Sequence, residues 1–458
     1  MPDRKKVLII SYYWPPSGGP GVQRVLKFAK YLPEFGWTPV ILTVARGEYP
    51  AVDQSLIKEI SKECIVYKTP TLEFYGWYKW LTGKSKKDRI ETYVLSRQED
   101  ISLLQKTFNW IRLNFFIPDA RIGWLPFAKH YGRKILKKEK PDIIFSTSPP
   151  QTAQLIARWL ARKSGIPLVA DFRDPWMNAF YDQGMDRTFW ARWINKRMES
   201  KVLNRATAIT TVSQGYKTLM NGDNDPRFNV ITNGFDAEDF NVAGKNSVKS
   251  SAFSIAYSGH LSPLQNPENF WDALRRVADG GRKLELNIYG YIDESVVNSI
   301  ERNGISHLVK QRGYVAHDRL IRELMRADLL LLLLPKKHNK GMISAKLYEY
   351  LATGKNILTI GDPESDAAKI LEKCNACPVY RYDKDLGEVL RQKIQDWEMG
   401  IPSQVDTEKI QMYTRKKLTE KLAGIFDNIY NRGSQSSTKS YTKFHNVSSF
   451  SSRISDLK

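Results

Sequence analysis

The sequence predicts an α/β protein made of two open, mostly parallel sheets, each wound with helices. Short apolar runs closed by Pro, Gly or Ser clusters alternate with amphipathic helical stretches along most of the chain. Six consecutive leucines, Leu329 to Leu334, read as a central strand buried on both faces, the way parallel sheets are written in sequence. At 458 residues, 42% of them hydrophobic, the chain exceeds one ordinary core and suggests two domains of about 200 residues each.

The elements follow in order. Val7 to Ser11 is a short apolar strand, and Val22, Val25, Leu26, Ala29 and Leu32 then recur at helical spacing until Gly36. Pro39 to Thr43 is a second strand, which completes a βαβ unit. Further strands fall at Asp142 to Ser146, Pro167 to Asp171 and Ala208 to Val212, giving a first domain over 1–240. Between about 71 and 140 the pattern breaks into basic, aromatic sequence such as FYGWYKWLTGKSKK and FNWIRLNFFIPDARIGW. Two readings stand for this insertion: an interfacial membrane surface, or a helical subdomain with snorkelling lysines. A polar linker, Ala243 to Ser251, precedes strands at Ser254 to Tyr257, Leu284 to Tyr289, Ala327 to Leu334 and Asn356 to Ile360, a second domain over 252–405. The segment TEKIQMYTRKKLTEKLAGIFDNIY is helical, ending near 430, and the Ser-rich stretch 431–458 is expected to be disordered. The two domains are expected to face one another across a cleft.

Charge and cysteines narrow the partners. A formal charge of +21 calls for polyanionic company: nucleic acid, anionic lipid headgroups or phosphorylated ligands. Nucleic acid is the least favoured, since the charge is spread through the chain and no nucleic-acid module is recognisable. Three cysteines and no signal-like N-terminus suggest a reduced, cytoplasmic setting. Cys374 and Cys377 form a CxxC, but without a second pair or a nearby His they read as ordinary thiols, and no metal site is expected. The longest apolar run is far short of the ~20 residues of a membrane span, so the chain is expected to lie on a membrane rather than cross it.

In open α/β sheets ligands bind beyond the carboxyl ends of the strands. The first such loop is SGGPG, Ser17 to Gly21, where Arg24 stands in place of the third glycine of a dinucleotide fingerprint and Thr43 in place of the acidic ribose ligand. The loop is either an anion site at a helix N-terminus or a tight strand-to-helix turn, and Arg24 is either a phosphate contact or, as preferred, a solvated helix residue. ADFRDPW brings Asp171, Arg173 and Asp174 to another strand end, suited to sugar hydroxyls or acid–base work, or else forming a structural ion pair. The hydroxyls of STSPPQT, Ser146 to Thr152, are a further strand-end set. In SAKLYEYLATGK, Lys346 and Glu349 share one helix face opposite Leu347, Tyr350 and Leu351. They either neutralise phosphate and grip a ribose diol or form an exposed salt bridge.

Together KVLIISYYWPPSGGPG, GIPLVADFRDPW, AITTVSQG, VITNGFD, IAYSGHLSP, LELNIYGY, RGYVAHDRL, ADLLLLLL and AKLYEYLATGK occur in the order seen in GT-B glycosyltransferases of family four. The chain resembles that retaining, nucleotide-sugar-dependent class over roughly residues 5–430. The resemblance implies an acceptor-binding first domain, a donor-binding second domain, a last helix returning to the first, and no cofactor or metal beyond the nucleotide-sugar co-substrate. It implies donor contacts at Gly18, Gly19, Ser258, Gly259, Tyr289, Gly290, Val315, Met342, Ile343, Ser344, Lys346 and Glu349, with Asp171, Arg173, Asp174 and Lys346 serving catalysis. Asn233 and Gly234 are structural. Of the family's two glutamates seven residues apart, Glu349 matches the second and Gly341 replaces the first, so sugar contact is expected from backbone N–H groups around Met342 to Ser344. The family's Arg and Lys after the first donor-domain strand are absent, and Arg173 stands where a His is usual. The expected partners are a nucleotide sugar, a glycan or lipid-linked acceptor and an anionic membrane surface, at the inner face of the cell membrane in polysaccharide or lipopolysaccharide assembly. A sugar-nucleotide epimerase of the same fold, or a non-catalytic sugar-nucleotide-binding or scaffold protein, are the alternatives.

Overall fold

The computed structural model describes residues 4–49, 51–73, 103–177, 187–241, 252–336 and 341–451. In chain order the elements are β1 (Lys5–Ile10), α1 (Pro20–Tyr31), β2 (Trp37–Val44), β3 (Ile65–Thr69), α2 (Leu103–Phe115), α3 (Leu125–Glu139), β4 (Ile143–Ser148), α4 (Thr152–Ser164), β5 (Leu168–Phe172), α5 (Phe189–Arg205), β6 (Ala208–Thr211), α6 (Gln214–Leu219), β7 (Phe228–Val230) and α7 (Ala237–Asn241). They continue with β8 (Phe253–Ser258), α8 (Glu268–Asp279), β9 (Leu284–Tyr289), α9 (Glu294–Arg302), β10 (Val309–Gly313), α10 (His317–Arg326), β11 (Leu329–Leu333), α11 (Ala345–Thr353), β12 (Asn356–Ile360), α12 (Asp366–Lys373), β13 (Val379–Tyr380), α13 (Gly387–Glu398) and α14 (Arg415–Ser451). The chain forms two compact units, Met1–Thr211 with Asp223–Ile231 and Thr419–Lys458, and Val212–Gly222 with Thr232–Leu418.

The first unit holds a seven-stranded parallel sheet in the order β3-β2-β1-β4-β5-β6-β7. Strand order reverses between β1 and β4, so the loops after these two strands border the switch point where such sheets bind ligands. One face is sealed by Leu8, Ile10, Val40 and Leu42 against Ala128, Ile135, Ile156 and Leu160 of α3 and α4. On the other, Phe426 of α14 meets Trp37 edge-on at 5.3 Å and Phe145 at 5.9 Å, and Phe28 meets Phe145 edge-on at 6.1 Å. Asp427 accepts a hydrogen bond from Trp37 Nε1 at 3.1 Å and pairs with Lys5.

The second unit holds a six-stranded parallel sheet, β10-β9-β8-β11-β12-β13, with its switch point between β8 and β11. The leucine strand is buried on both faces: Leu329, Leu331 and Leu333 enter one core, Leu330, Leu332 and Leu334 the other. Burying every side chain of β11 removes apolar surface on both sides of the sheet, at roughly 1.5–3 kcal/mol for each leucine.

Several expectations need correction. The insertion is shorter than 71–140, because α3 is a crossover helix between β3 and β4, with Gly132 packed so closely on Leu160 that a Cβ there would lie 2.7 Å from it. Its basic outer face, with Lys129 and Arg133 over the Trp159 ring, hides that role in the sequence. FYGWYKWLTGKSKK and the linker at 243–251 lie outside the described residues. The stretch from Asn431, expected to be disordered, continues α14 to Ser451; propagating an established helix costs less than nucleating one. The edge strands β3, β7, β10 and β13 carry no diagnostic apolar run; β10 reads VKQRG and is mostly exposed.

A buried ion pair ties the first sheet together. Arg24 and Asp171 are each 0% exposed. Asp171 accepts from Arg24 Nη2 at 2.8 Å and Nε at 3.2 Å, from Thr147 Oγ1 at 2.8 Å and from Thr210 Oγ1 at 2.7 Å. Arg24 also donates to the Ile231 carbonyl at 2.9 Å and lies over the Phe28 ring. One pair thus engages α1, β4, β5, β6 and the residue after β7. Burial pushes the Asp171 carboxyl up, but Arg24 and the two threonine hydroxyls outweigh it and hold the group below its ordinary value. Arg24, expected at the helix surface, is therefore an internal cation, and Asp171 does not emerge at the strand end.

Removing one partner leaves a buried charge unpaired, so Arg24→Met should destabilise the protein by about 3–5 kcal/mol in urea unfolding, and adding Asp171→Asn should recover part of that loss. Because the Asp171 carboxyl is depressed on folding, its contribution is present above its unfolded pKa, about 4, and lost as pH falls through the folded value. Acid titrations of stability should show that loss in the wild type and a different acid limb in the Arg24 variant.

Candidate functional site

In the first unit the loop after β1 is pinned before it reaches the helix. Gly18 N–H donates to the Ala51 carbonyl at 2.9 Å, and Asp53 N–H donates to the Pro16 carbonyl at 2.8 Å. The Gly18 N–H expected to meet a phosphate is therefore already used. Gly19 takes a left-handed φ of 102° as the N-cap of α1, and its carbonyl accepts from Val22 and Gln23. The N–H groups of Gly19 and Gly21 make no hydrogen bond among the described residues. Arg173 lies across this turn: a Cβ on Gly21 would stand 1.6 Å from its Nη1. Its Nε donates to the Ser148 carbonyl at 3.2 Å and Nη2 to the Pro149 carbonyl, leaving Nη1 over the helix end. Burial lowers the Arg173 pKa, with the charges of Asp174 and Asp171 opposing. A guanidinium beside two open N–H groups at a helix N-terminus is a cradle for an anion.

The hydroxyls of STSPPQT face inward. Ser146 donates to Gln154 Oε1 at 2.6 Å, and Thr152 binds half-buried Asp119 through both its N–H and its Oγ1. Gln154 Nε2 donates to Ser148 Oγ and to the Asp171 carbonyl. These groups shape the strand ends and present nothing to a ligand. Asp174 is partly exposed beside Arg173 and is the acid of ADFRDPW that remains accessible.

In the second unit the residues from three motifs converge at the switch point. Gly259 has φ 99° and Gly290 φ 134°, and a Cβ on Gly290 would lie 2.4 Å from the Gly259 carbonyl. Gly259 N–H donates to the Tyr289 carbonyl at 2.7 Å, and Gly290 N–H to the Gly313 carbonyl at 2.8 Å. Lys346 crosses above Gly259, with Cε 2.4 Å from where a Cβ would stand. Its Nζ donates to Tyr257 Oη at 3.0 Å and sits 4.4 Å from the Tyr257 ring centroid. Burial pushes the Lys346 ammonium down to about 8. Tyr257, which fixes this cation, lay unremarked inside IAYSGHLSP; its sequence signal is only that of a strand aromatic.

The approach to α11 supplies further donors. The N–H groups of Met342, Ile343, Ser344, Ala345 and Lys346 make no hydrogen bond among the described residues. Ser344 is the N-cap without a side-chain cap bond. The segment is held by Ser213 Oγ, which donates to the Gly341 carbonyl at 2.6 Å, and α6 is itself held by Asp366, which accepts from Gly215 N–H at 2.6 Å. Gly341 has φ 78°, and a Cβ there would lie 2.5 Å from Tyr216 N. The position that carries glutamate in the resembling family is closed here to any side chain.

Three turns of chemistry meet at Glu349. The carboxylate is half-buried and has no hydrogen bond or ion pair among the described residues; it forms no salt bridge with Lys346. Burial pushes its pKa up, while His317, Arg415 and Lys346 pull it down and Asp239 adds to the rise. His317 Nε2 in turn lies 3.3 Å from Asp239 Oδ2. Ser258, Tyr289, Val315 and Ile343 serve this site through backbone and packing. Ser258 N–H donates to Tyr350 Oη, the Tyr289 hydroxyl donates to Glu323, and Val315 and Ile343 belong to the core against α11. Among the described residues no group of three or more His, Cys, Asp or Glu side chains is arranged to hold a metal, and no helix is long and apolar enough to cross a membrane.

Two parallel Rossmann-like sheets with ligand-ready switch points define the GT-B fold, and solved structures of that fold match nearly the whole chain. Sucrose-phosphate synthase from Thermosynechococcus elongatus has a TM-score of 0.61 at 11% identity, covering 94% of this chain and 100% of that one. HepE from Anabaena, solved with UDP and glucose, has a TM-score of 0.58 at 14% identity over 93% and 100%. The lipopolysaccharide outer core galactosyltransferase WaaB, in its apo form, has a TM-score of 0.54 at 13% identity over 92% and 99%. Residues 86–239 match the family model described as Glycosyltransferase Family 4. No curated protein sequence matches the chain.

Two substitutions probe this geometry. Gly341→Glu should destabilise the second unit by about 1–3 kcal/mol, as expected for a side chain forced onto left-handed backbone, and unfolding in urea measures it. A free Lys346 keeps its charge below about pH 8 and loses it above, so affinity for a nucleoside diphosphate, measured by calorimetry, should fall as pH rises past that value. Lys346→Arg, always charged, should flatten that limb.

Proposed function

We propose that the protein is a glycosyltransferase. It moves a sugar from a nucleotide-diphosphate donor to a hydroxyl of a glycan or lipid-linked acceptor, with retention at the anomeric carbon, in the assembly of a cell-surface polysaccharide or lipopolysaccharide at the inner face of the membrane. The observation that carries this reading is Glu349, a half-buried carboxylate with no hydrogen bond or ion pair among the described residues, one helical turn beyond Lys346 and the N–H groups that begin α11. A carboxylate of this kind accepts two hydrogen bonds from a ribose diol, while the ammonium and the helix N-terminus receive a diphosphate. The family match over residues 86–239 and the UDP-bound neighbour support the same donor class.

The chemistry follows from where charge develops. As the bond from the anomeric carbon to the β-phosphate oxygen breaks, the sugar gains oxocarbenium character and the diphosphate takes up negative charge. Lys346 and the N–H groups of Met342 to Lys346 are already fixed, by Tyr257 and by the Ser213–Gly341 bond, so they stabilise that charge without reorganising. The acceptor hydroxyl then forms its bond on the face the leaving group vacated and passes its proton to the departing β-phosphate oxygen. In the first unit, Arg173, Asp174 and the α1 N-terminus are proposed to orient the acceptor or its phosphate.

A thermal-shift screen against UDP-, GDP- and dTDP-sugars should identify a stabilising donor, since binding to the native state raises its stability with the logarithm of ligand concentration over Kd. Glu349→Ala should lower affinity for that donor by about 10-fold to 200-fold, the range for a lost charge-assisted hydrogen bond of 1.5–3 kcal/mol. The anomeric proton coupling of the product tests retention. Donor binding without acceptor-dependent release of the nucleoside diphosphate would point instead to a binding or scaffold role.

A further inference from the structure

Helix α5 is built inside out. Its inward positions are small or polar, with Ala191, Asn195 and Val202 buried, while its largest rings face solvent: Phe189 is 73% exposed, Trp190 68% and Trp193 48%. Phe189 meets Trp190 edge-on at 5.7 Å, and Trp190 meets Trp193 at 6.4 Å. Helix α2 packs beside it, joined by Thr188 N–H donating to Asn114 Oδ1 at 2.6 Å, and adds Trp110 and Phe115, the latter 70% exposed. Five large rings on two adjoining helices far exceed the scattered exposed apolar residues of an ordinary surface.

Along the described helices α2 and α5 every charged residue but Glu199 is positive. Arg112, Arg192, Lys196 and Arg197 flank the rings, and Arg197 lies over the Trp193 ring at 5.4 Å. Over α5 the single acid is Glu199, which burial raises to about 7, so it is only about half charged at neutral pH. Trp and Phe with interleaved Arg and Lys are the composition of a surface that enters the headgroup layer, rings toward the acyl boundary and cations at the phosphates. A protein-facing patch would instead be depleted of Lys.

We propose that the α2–α5 face is a docking surface for an anionic lipid bilayer. It deepens the reading of a lipid-linked acceptor, and rests on that reading only for its purpose; the surface itself is a property of the first unit and shares no residue with the proposed donor site. The most exposed rings fall at the start of α5, outside the basic, aromatic stretch in which sequence alone suggests a membrane contact.

The test is co-sedimentation of the full chain with vesicles of phosphatidylcholine, with and without phosphatidylglycerol. The wild type should sediment with the anionic vesicles and remain in solution with the neutral ones. Trp190→Ser with Trp193→Ser, and separately Arg192→Glu with Lys196→Glu, should each lower partitioning by about tenfold or more. Added salt should weaken wild-type binding. Thermal shifts with the nucleotide sugar should be unchanged in both variants, which shows that they are folded with an intact donor site. The proposal is overturned if the wild type ignores anionic vesicles or if both variants sediment like the wild type. It also fails if the ring variant loses an oligomeric state in light scattering while keeping vesicle binding, which would make the face a protein interface. Vesicle binding by a chain that no nucleotide sugar stabilises would leave this surface standing while the transferase reading fell.

Discussion

The first unit depends on one desolvated pair. Arg24 and Asp171 sit where the loops of four strands meet, and the guanidinium also holds the carbonyl of Ile231. Burying two ions is costly unless nearly every donor and acceptor finds a partner, and here both carboxylate oxygens are each engaged by the guanidinium and a threonine hydroxyl. This arrangement fixes the strand ends that carry Arg173 and Asp174. A cation at the position of a fingerprint glycine therefore works underneath the strand ends, shaping them from the inside.

The second unit uses a different device, close approach of backbone. Gly259 and Gly290 press together so that the Lys346 side chain can pass over them, and Tyr257 holds its ammonium. Gly341 leaves room for α6 and is itself held by Ser213. Gly341, which reads in sequence as a lost catalytic group, is thus a position where a side chain has no space.

The sequence was most legible where periodicity and burial agree. The central strands β1, β2, β4, β5, β8, β9, β11 and β12 each contain a short apolar run, and Leu329 to Leu334 announces burial on two faces. Edge strands such as β10 were invisible because an exposed edge needs no apolar pattern. Lys346 and Glu349 could be picked out because helical spacing is a local property. The Arg24–Asp171 pair could not, since its members are 147 residues apart and nothing local separates a buried arginine from a solvated one. For the same reason the hydroxyls of STSPPQT looked available until Gln154 and Asp119 were seen to engage Ser146, Ser148 and Thr152.

The first unit is discontinuous in the chain: its sheet is finished by residue 231, but the helix that seals one face begins to contribute only at Thr419. Phe426 and Asp427, which meet Trp37, Phe145 and Lys5, therefore leave a ribosome well after the sheet they cover. For nearly two hundred residues of synthesis the growing chain carries an open apolar sheet face, and its first half cannot mature before its second half has been made.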